Sequence, residues 1–249
     1  MPNKKVLITG ATSGIGLLIA EKCIKKGYDV YAVGRNKTAL AQLNQKGIHT
    51  IQADLSNQQE LERLVQQLPF IDVAILNAGI GTFESAYDVT DQQLQAMLNI
   101  NVHAPIYIAK KLTAKMMLKK RGHLIFIGSQ AGKVATKKAS IYAATKHAIT
   151  GFVNGYRMEV AEHNIKVTGV YPGPIDTPFL DKADAKGAYR HAMKRFLLNP
   201  DDVANAVVNV IERPVRELNL PKVMALTSKL YAVAPTFVEY FGKSFFNKK

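Results

Sequence analysis

The sequence predicts an α/β fold, a doubly wound parallel sheet of about seven strands with helices on both faces. Short apolar runs alternate with amphipathic helical patterns over the first two thirds of the chain, and a glycine-rich turn directly follows the first apolar run. Because no linker, internal repeat or low-complexity tract divides the 249 residues, residues 1–249 are predicted to form one domain.

Each element is predicted from a local pattern. The first helix runs from the glycine turn through Lys26, and a long helix begins after Thr90, whose spacing to Gln93 is that of a capping box. A third helix covers Ser140–Glu162, and another begins near Pro200. The predicted strands are Val6–Thr9, Asp29–Val33, Ile48–Ala53, Ile71–Leu76, Leu124–Ile127, Val167–Tyr171 and Leu218–Met224.

Composition narrows the class of protein. Apolar residues make up 47% of the chain and the mean hydropathy is −0.04, so the chain has enough apolar side chains for a sizeable core. The one cysteine, Cys23, excludes an internal disulfide framework, and no Cys/His cluster has metal-ligand spacing. With no secretory leader and no apolar run of bilayer length, the sequence predicts a cytoplasmic protein without a metal site.

The net charge of +14 and the pI of about 9.7 raise the question of an anionic partner. The basic residues are spread along the chain, and neither a zinc finger nor an RNA-binding aromatic motif accompanies them. We therefore interpret the charge as solvated helix faces and ends, and predict no nucleic-acid partner.

A glycine loop lies between the first predicted strand and the first helix. Its spacing, G-x-x-x-G-x-G from Gly10 to Gly16, differs from the general dinucleotide fingerprint. Such a loop exposes backbone N–H groups and a helix N-terminus to a pyrophosphate, although a purely structural turn has the same composition. The nucleotide-binding residues predicted from this loop are Gly10, Thr12, Ser13, Ile15 and Gly16.

The end of the second strand indicates which dinucleotide is bound. An acidic residue there would bond the ribose hydroxyls of NAD, but the strand ends in Arg35 and Asn36, and Asp29 lies at the opposite end. A guanidinium suits the 2′-phosphate of NADP, and the Ser13 hydroxyl could add a donor. The sequence therefore predicts NADP(H), with an ordinary exposed arginine as the alternative.

Three residues whose side chains could take part in a reaction follow one another along the chain. Tyr142 and Lys146 are spaced i, i+4 in a helical pattern, which places them on one face, and Ser129 ends the fifth strand at its carboxyl edge. Ligands of open parallel sheets bind at that edge, so the three side chains can converge. The pair alone is weak evidence, because a packed tyrosine beside a surface lysine has the same spacing.

Together with the glycine loop, these residues make the chain resemble the short-chain dehydrogenase/reductase family, from Lys5 to about Arg213. The resemblance implies a Rossmann-like fold and a hydride transfer between NADP(H) and a carbonyl or secondary alcohol. It also implies oligomers, dimers or tetramers, through the helices that contain Asn101 and Tyr142. The further cofactor residues that it implies are Asp54, Leu55, Asn77, Ala78, Gly79, Tyr142, Lys146, Pro172, Gly173, Ile175 and Thr177.

The resemblance also implies catalytic roles. Tyr142 would be the general acid or base, Ser129 would hold the substrate oxygen, and Lys146 would bind the nicotinamide ribose. An ammonium about 4 Å from the phenol contributes roughly 4 kcal/mol at an effective dielectric of about 20, so Lys146 is expected to lower the pKa of Tyr142, before desolvation takes part of this shift back.

Asn101 matches the helix asparagine of the family. Pro105 lies four residues later and has no N–H, so the Asn101 carbonyl loses its α-helical partner. A freed carbonyl could bind an ordered water and relay protons from Lys146, as in the family, and a simple packing kink is an equal alternative.

Two segments outside the motifs are assigned by position. Residues 174–199 are predicted to form a substrate lid with an apolar wall of Phe179, Tyr189, Met193 and Phe196, which suggests a largely apolar substrate. Its cations Lys182, Lys186, Arg190, Lys194 and Arg195 are interpreted as solvated rather than as an anion site. The aromatic and basic extension 226–249 is expected to cover the pocket or pack in a dimer, in preference to contacting an anionic membrane.

A different class of function fits part of the pattern. A regulator that senses NADP without turnover, or a membrane-associated binding protein, would explain the glycine loop or the charge. Neither explains why both Tyr142 and Lys146 are present.

Overall fold

The computed structural model describes residues 3–184 and 187–241 and contains a seven-stranded parallel sheet. The strand order is β3-β2-β1-β4-β5-β6-β7. The strands are β1 (Lys5–Thr9), β2 (Asp29–Gly34), β3 (His49–Gln52), β4 (Val73–Leu76), β5 (Gly122–Ile127), β6 (Ile165–Pro172) and β7 (Glu217–Leu220). The helices are α1 (Gly14–Lys25), α2 (Lys37–Gln45), α3 (Gln58–Gln67), α4 (Asp91–Leu98), α5 (Ala104–Lys119), α6 (Ser140–Glu159), α7 (Pro178–Ala183), α8 (Ala188–Met193), α9 (Pro200–Glu212), α10 (Val223–Val233) and α11 (Pro235–Phe241).

Both faces of the sheet are covered, as predicted. In β1, Val6 and Ile8 belong to the core beneath α1 and α9, whereas Leu7 belongs to the core beneath α3, α5 and α6. All three side chains are fully buried, and each such burial contributes about 1.5–3 kcal/mol. Continuous apolar strands of this kind are typical of a parallel sheet covered on both faces.

The strand order reverses between β1 and β4, and the cleft opens at their carboxyl ends. Thr9 and Asn77 join the two strand ends. The Thr9 hydroxyl accepts hydrogen bonds from the backbone N–H groups of Asn77 (3.0 Å) and Ala78 (3.1 Å), and the Asn77 amide donates to the Thr9 carbonyl at 2.9 Å. These three hydrogen bonds, which we call the brace, hold together the strand ends from which the glycine loop begins.

Most predicted strands and helices are confirmed with ends shifted by one or two residues, and three predicted elements differ by more than that. The last strand was predicted over Leu218–Met224 but ends at Leu220, because Pro221 follows and α10 begins at Val223. The long helix after Thr90 does begin with a capping box, but a π-helical turn, Asn99–His103, divides it. The helix predicted to reach Glu162 ends at Glu159 and continues as a 3₁₀ turn.

Replacing Thr9 tests the brace between β1 and β4. Thr9→Val keeps the shape of the side chain but removes the acceptor, leaving two partly buried N–H groups without their partner. We expect the free energy of unfolding, measured by urea titration, to fall by about 1–3 kcal/mol for each N–H group. Thr9→Ser is the control, since it keeps the hydroxyl, and a Val variant as stable as the wild type would contradict the brace.

Candidate active site

The glycine loop between β1 and α1 is shaped by contacts that a side chain would block. Gly10 and Gly14 have φ angles of +67° and +55°. A Cβ on Gly16 would lie 2.3 Å from the Gly10 carbonyl oxygen and 2.4 Å from the Asn77 Nδ2 atom. The loop therefore stays narrow and leaves the N-terminus of α1 open, the arrangement that binds a pyrophosphate.

The end of β2 forms the polar end of the cleft. A Cβ on Gly34 would lie 2.4 Å from the Thr12 methyl carbon, so glycine lets the loop pack on this strand. Arg35 lies 3.7 Å from the Asp54 carboxylate, and both side chains are substantially exposed. Burial opposes ionisation of Asp54, but hydrogen bonds from Ser56 and the Arg35 guanidinium hold the pKa of Asp54 below its ordinary value. The side chain of Asn36 caps α2 by accepting from the Ala39 N–H at 3.0 Å.

Ser129, Tyr142 and Lys146 come together at the carboxyl end of β5. Ser129 follows β5, and the 3₁₀ turn after it packs directly on α6, because a Cβ on Gly132 would lie 2.6 Å from the Lys146 carbonyl. The Ser129 hydroxyl is a hydrogen-bond partner of the Tyr142 phenol. The Lys146 ammonium lies 5.8 Å from the centre of the Tyr142 ring and donates to the Ile127 carbonyl at 3.1 Å.

Burial dominates the acid–base properties of this group. It raises the pKa of Tyr142, and the Ser129 hydrogen bond opposes this only in part. The expectation that Lys146 lowers the pKa of Tyr142 is therefore wrong for the chain without a nucleotide. Burial also lowers the pKa of Lys146 to about 8, so the amine still carries most of its charge near neutral pH.

Asn101 lies behind this group, in the π-helical turn Asn99–His103, and its side chain is fully engaged. Its Oδ1 atom accepts from the Ile80 N–H at 2.9 Å, and its Nδ2 atom donates to the Ile80 carbonyl at 2.8 Å and to the Thr145 hydroxyl at 3.1 Å. The side chain thus clamps the segment after β4 to α6. Pro105 supplies no N–H to the Asn101 carbonyl, and in the same turn Ala104 donates to the Asn99 carbonyl.

One cavity of about 970 Å³ contains the predicted site. Every residue predicted to bind the nucleotide lines it, and so does Ser129, whereas Asn101 is not among the described lining residues. The predicted residues that line the cavity are Gly10, Thr12, Ser13, Ile15, Gly16, Arg35, Asn36, Asp54, Leu55, Asn77, Ala78, Gly79, Tyr142, Lys146, Pro172, Gly173, Ile175 and Thr177.

An aromatic cluster surrounds the Tyr142 ring. Phe83 lies 5.6 Å from Tyr142 and 4.9 Å from Tyr189 between ring centres, and Phe179 lies 5.8 Å from Tyr142. Sequence reasoning named Phe179 and Tyr189 but missed Phe83 and Gly81, where a Cβ would lie 2.9 Å from the Phe179 ring. A loop phenylalanine after Asn77-Ala78-Gly79 has no distinguishing pattern, so nothing in the sequence marks its contact with Tyr142.

The predicted lid, residues 174–199, contains α7, α8 and a 3₁₀ turn, while residues 185 and 186 lie outside the described part. Met193 and Phe196 line the cavity with the aromatic cluster. Arg190 forms ion pairs with Asp176 and Asp181, so this lid cation is engaged within the lid. Of the predicted extension 226–249, residues 226–241 are described, and their helices contribute Tyr231 and Val238 to the cavity wall.

A dinucleotide fits these residues. The glycine loop provides a cradle that a Cβ at Gly16 would fill, Arg35 provides a cation at the far end, and the cavity continues to Tyr142. Among residues 3–184 and 187–241, no group of three or more His, Cys, Asp or Glu side chains could hold a metal ion. In the same residues, no helix combines the length and hydropathy needed to cross a membrane.

A family model described as short chain dehydrogenase matches residues 4–187. The chain belongs to this family. An uncharacterised oxidoreductase of Staphylococcus aureus strain USA300 is 32% identical over 222 residues, which cover 86% of this chain and 93% of the relative.

Solved structures agree with the fold of a short-chain dehydrogenase. A closed form of serine dehydrogenase complexed with NADP+ is 29% identical, has a TM-score of 0.80, and is matched over 87% of this chain and 94% of its own. A 4-hydroxyisoleucine dehydrogenase complexed with NADH is 24% identical with a TM-score of 0.79, over 87% and 96%. The chain is therefore an NAD(P)-dependent dehydrogenase with the Rossmann-like fold of its family.

Burial of the Lys146 amine is expected to make the free energy of unfolding of this dehydrogenase depend on pH. The pKa of Lys146 falls from 10.5 to about 8 on folding. Between these values the unfolded chain binds more protons than the folded chain, so the wild type loses stability as the pH falls from 10.5 through about 8. Lys146→Met has no charge to desolvate and should be more stable near pH 7 by up to about 3 kcal/mol.

The measurement is urea unfolding of the nucleotide-free wild type and variant at about pH 7 and about pH 10, where the advantage should shrink. Lys119→Met, at an exposed position in α5, is the matched control and should show no such dependence on pH. A Lys146→Met protein that is equally destabilised at both pH values would contradict the proposed cost of burial.

Proposed function

We propose that the chain is an NADP(H)-dependent oxidoreductase that interconverts a carbonyl compound and a secondary alcohol, with Tyr142 as the general acid and base. One observation carries the proposal: Ser129, Tyr142 and Lys146 line the same cavity as the glycine loop. The spacing of Tyr142 and Lys146 alone is uninformative, but their convergence with Ser129 at the carboxyl edge of the sheet supports catalysis.

When bound, the nicotinamide supplies or accepts the hydride. In reduction, the Tyr142 hydroxyl gives its proton to the substrate oxygen while the carbonyl carbon gains the hydride, and in oxidation the phenolate removes the alcohol proton. Ser129 donates a hydrogen bond to the same oxygen and stabilises the charge that develops there. Because burial raises the pKa of Tyr142, the phenolate requires a nearby positive charge, and we propose that the Lys146 ammonium supplies it.

The proton that Tyr142 gives away must be replaced. We propose that Lys146 relays it and that the Asn101 carbonyl, which Pro105 deprives of an α-helical donor, extends the path toward solvent. The same turn serves packing, since the Asn101 side chain clamps Ile80. The two roles use different atoms of Asn101 and are compatible.

The substrate is proposed to be largely apolar, because aromatic rings of Phe83, Phe179 and Tyr189 surround Tyr142. A screen of NADPH oxidation against ketones, aldehydes and ring carbonyls would identify its class. We expect a homodimer or homotetramer, since family members commonly form oligomers. A cytoplasmic location remains a prediction from the single cysteine, Cys23, which is buried.

A non-catalytic NADP sensor is the second candidate. Its nucleotide cleft would look the same, but it would not need an acid–base residue paired with a buried lysine. Turnover in the substrate screen separates the two functions.

Replacing the phenol tests its role. Tyr142→Phe should reduce turnover by about 10²–10⁴-fold, because the substrate oxygen loses its proton donor, while the Kd for NADPH stays within about threefold. Tyr87→Phe, at a position 89% exposed, is the matched control and should leave turnover unchanged. Near-normal turnover of the Tyr142 variant would remove the acid–base assignment.

Replacing Arg35 tests the choice between NADPH and NADH. Arg35→Glu removes the cation proposed to bind the 2′-phosphate and adds a carboxylate that repels it, so kcat/KM for NADPH should fall by about tenfold or more relative to that for NADH. Arg63→Glu, on an exposed position of α3, makes the same charge change outside the described cavity lining. A wild type that prefers NADH, or a preference that Arg35→Glu leaves unaltered, would overturn the assignment of NADP.

A further inference from the structure

The helix α10 carries an apolar stripe that faces away from the domain. Leu226, Leu230 and Val233 are spaced i, i+4 and i+7, so they lie on one side of the helix. Their exposed fractions are 70%, 49% and 85%, whereas Val223, at the start of the helix, lines the cavity. Leucine and valine side chains aligned in this way and left in contact with water are typical of a surface that binds something else.

The opposite side of α10 already performs the packing. Met224 and Tyr231 line the cavity, and Ser228 is buried. An ordinary surface helix buries one apolar stripe and presents polar residues to solvent. In α10 the second stripe is therefore not required for attaching the helix to the domain.

The short helix α11 extends the apolar surface. Phe237, Tyr240 and Phe241 are 57%, 75% and 70% exposed, whereas Val238 lines the cavity. The Phe237 and Phe241 ring centres lie 4.6 Å apart, and Tyr240 lies 5.2 Å from Phe241. We call α10 and α11, which the Tyr231–Glu239 hydrogen bond joins, the hairpin. Its outer face is defined by the residues Leu226, Leu230, Val233, Phe237, Tyr240 and Phe241.

The charge around the outer face is predominantly positive. Lys222, directly before α10, and Lys229, on α10, are exposed on the same flank of the apolar stripe. From residue 221 to residue 249 the sequence contains five lysines and one acidic residue, Glu239, which accepts a hydrogen bond from the Tyr231 hydroxyl at 2.8 Å. Three of these lysines belong to residues 242–249, which lie outside the described part of the chain.

We propose that the outer face of the hairpin binds an anionic lipid surface, with the helices parallel to the membrane. Aliphatic and aromatic side chains would enter the boundary between headgroups and acyl chains, and the flanking lysines would contact the lipid phosphates. A second copy of the chain fits less well, because a two-fold interface would bring the same lysines of both copies together. The sequence interpretation favoured packing over membrane contact. The packing is already supplied by the side of α10 that carries Met224, Ser228 and Tyr231, which we call its inner face.

The proposal specifies how the cavity would be oriented relative to the membrane. Because the inner face of α10 lines the cavity and the outer face would lie on lipid, the substrate end of the cavity would open next to the membrane. The nucleotide end, at Arg35, directly follows β2, which lies on the other side of the sheet centre from β7. The lipid interaction itself does not depend on the proposed catalytic role of Tyr142.

Flotation of the full-length chain with vesicles tests the proposal. We expect co-flotation with vesicles of phosphatidylglycerol and phosphatidylcholine, weaker binding to phosphatidylcholine alone, and release at high salt. Leu226→Ser with Phe237→Ser removes two apolar contacts and should lower the ratio of bound to free protein by about tenfold or more. Lys222→Gln with Lys229→Gln should reduce the preference for anionic vesicles.

Leu118→Ser is the matched control, since Leu118 is 85% exposed at the end of α5, outside the hairpin, and its loss should not affect flotation. NADPH binding by every variant, measured by fluorescence, verifies the fold without using turnover. The proposal is overturned if the wild type fails to float with anionic vesicles at low salt, or if Leu118→Ser lowers flotation as much as the hairpin variant. It is also overturned if light scattering shows that the hairpin variant dissociates an oligomer of the wild type, because the outer face would then bind a second copy.

Discussion

The burial of the Lys146 amine is the constraint on which the active site depends. An amine removed from water is costly to charge, and here the pKa falls to about 8. The Ile127 carbonyl at the end of β5 accepts its hydrogen bond, and Gly79 lies beside it, 3.5 Å from its Nζ atom to the position a Cβ would take. The amine thus lies between the ends of two neighbouring strands, and a ligand that supplies negative charge or hydrogen-bond acceptors there offsets the cost of keeping the buried amine charged.

The same burial explains why the aromatic cluster matters. The rings of Phe83, Phe179 and Tyr189 exclude water from Tyr142, which raises the pKa of its phenol in the chain without a nucleotide. A neutral phenol is the form that donates a proton, so the resting state suits reduction of a carbonyl. Exclusion of water also strengthens every charge interaction in the site once a nucleotide is bound.

The layers of the fold and most of the cavity wall could be predicted because they depend on local patterns. Apolar runs such as Val6–Thr9 identify the strands, and positions at strand ends, such as Ser129, identify the edge where a ligand binds. The end of β7 could have been predicted from Pro221. The contact of Phe83 with Tyr142 and the direction of the pKa shift could not, because both depend on three-dimensional packing that no spacing in the sequence records.

The π-helical turn Asn99–His103 has a consequence for the helix that follows it. In an α-helix each residue advances the direction of the side chains by about 100°, so the wider turn, which holds one additional residue, sets the heading of all of α5. With that direction, Ile108, Leu112 and Met116 are buried in the core on one face of the sheet. Removing a single residue from the turn would rotate the apolar side of α5 by about 100°, away from the core, and Pro105 would still leave one carbonyl of the turn without an α-helical donor. The π-helical turn that contains Asn101 thus also determines which side of α5 faces the core.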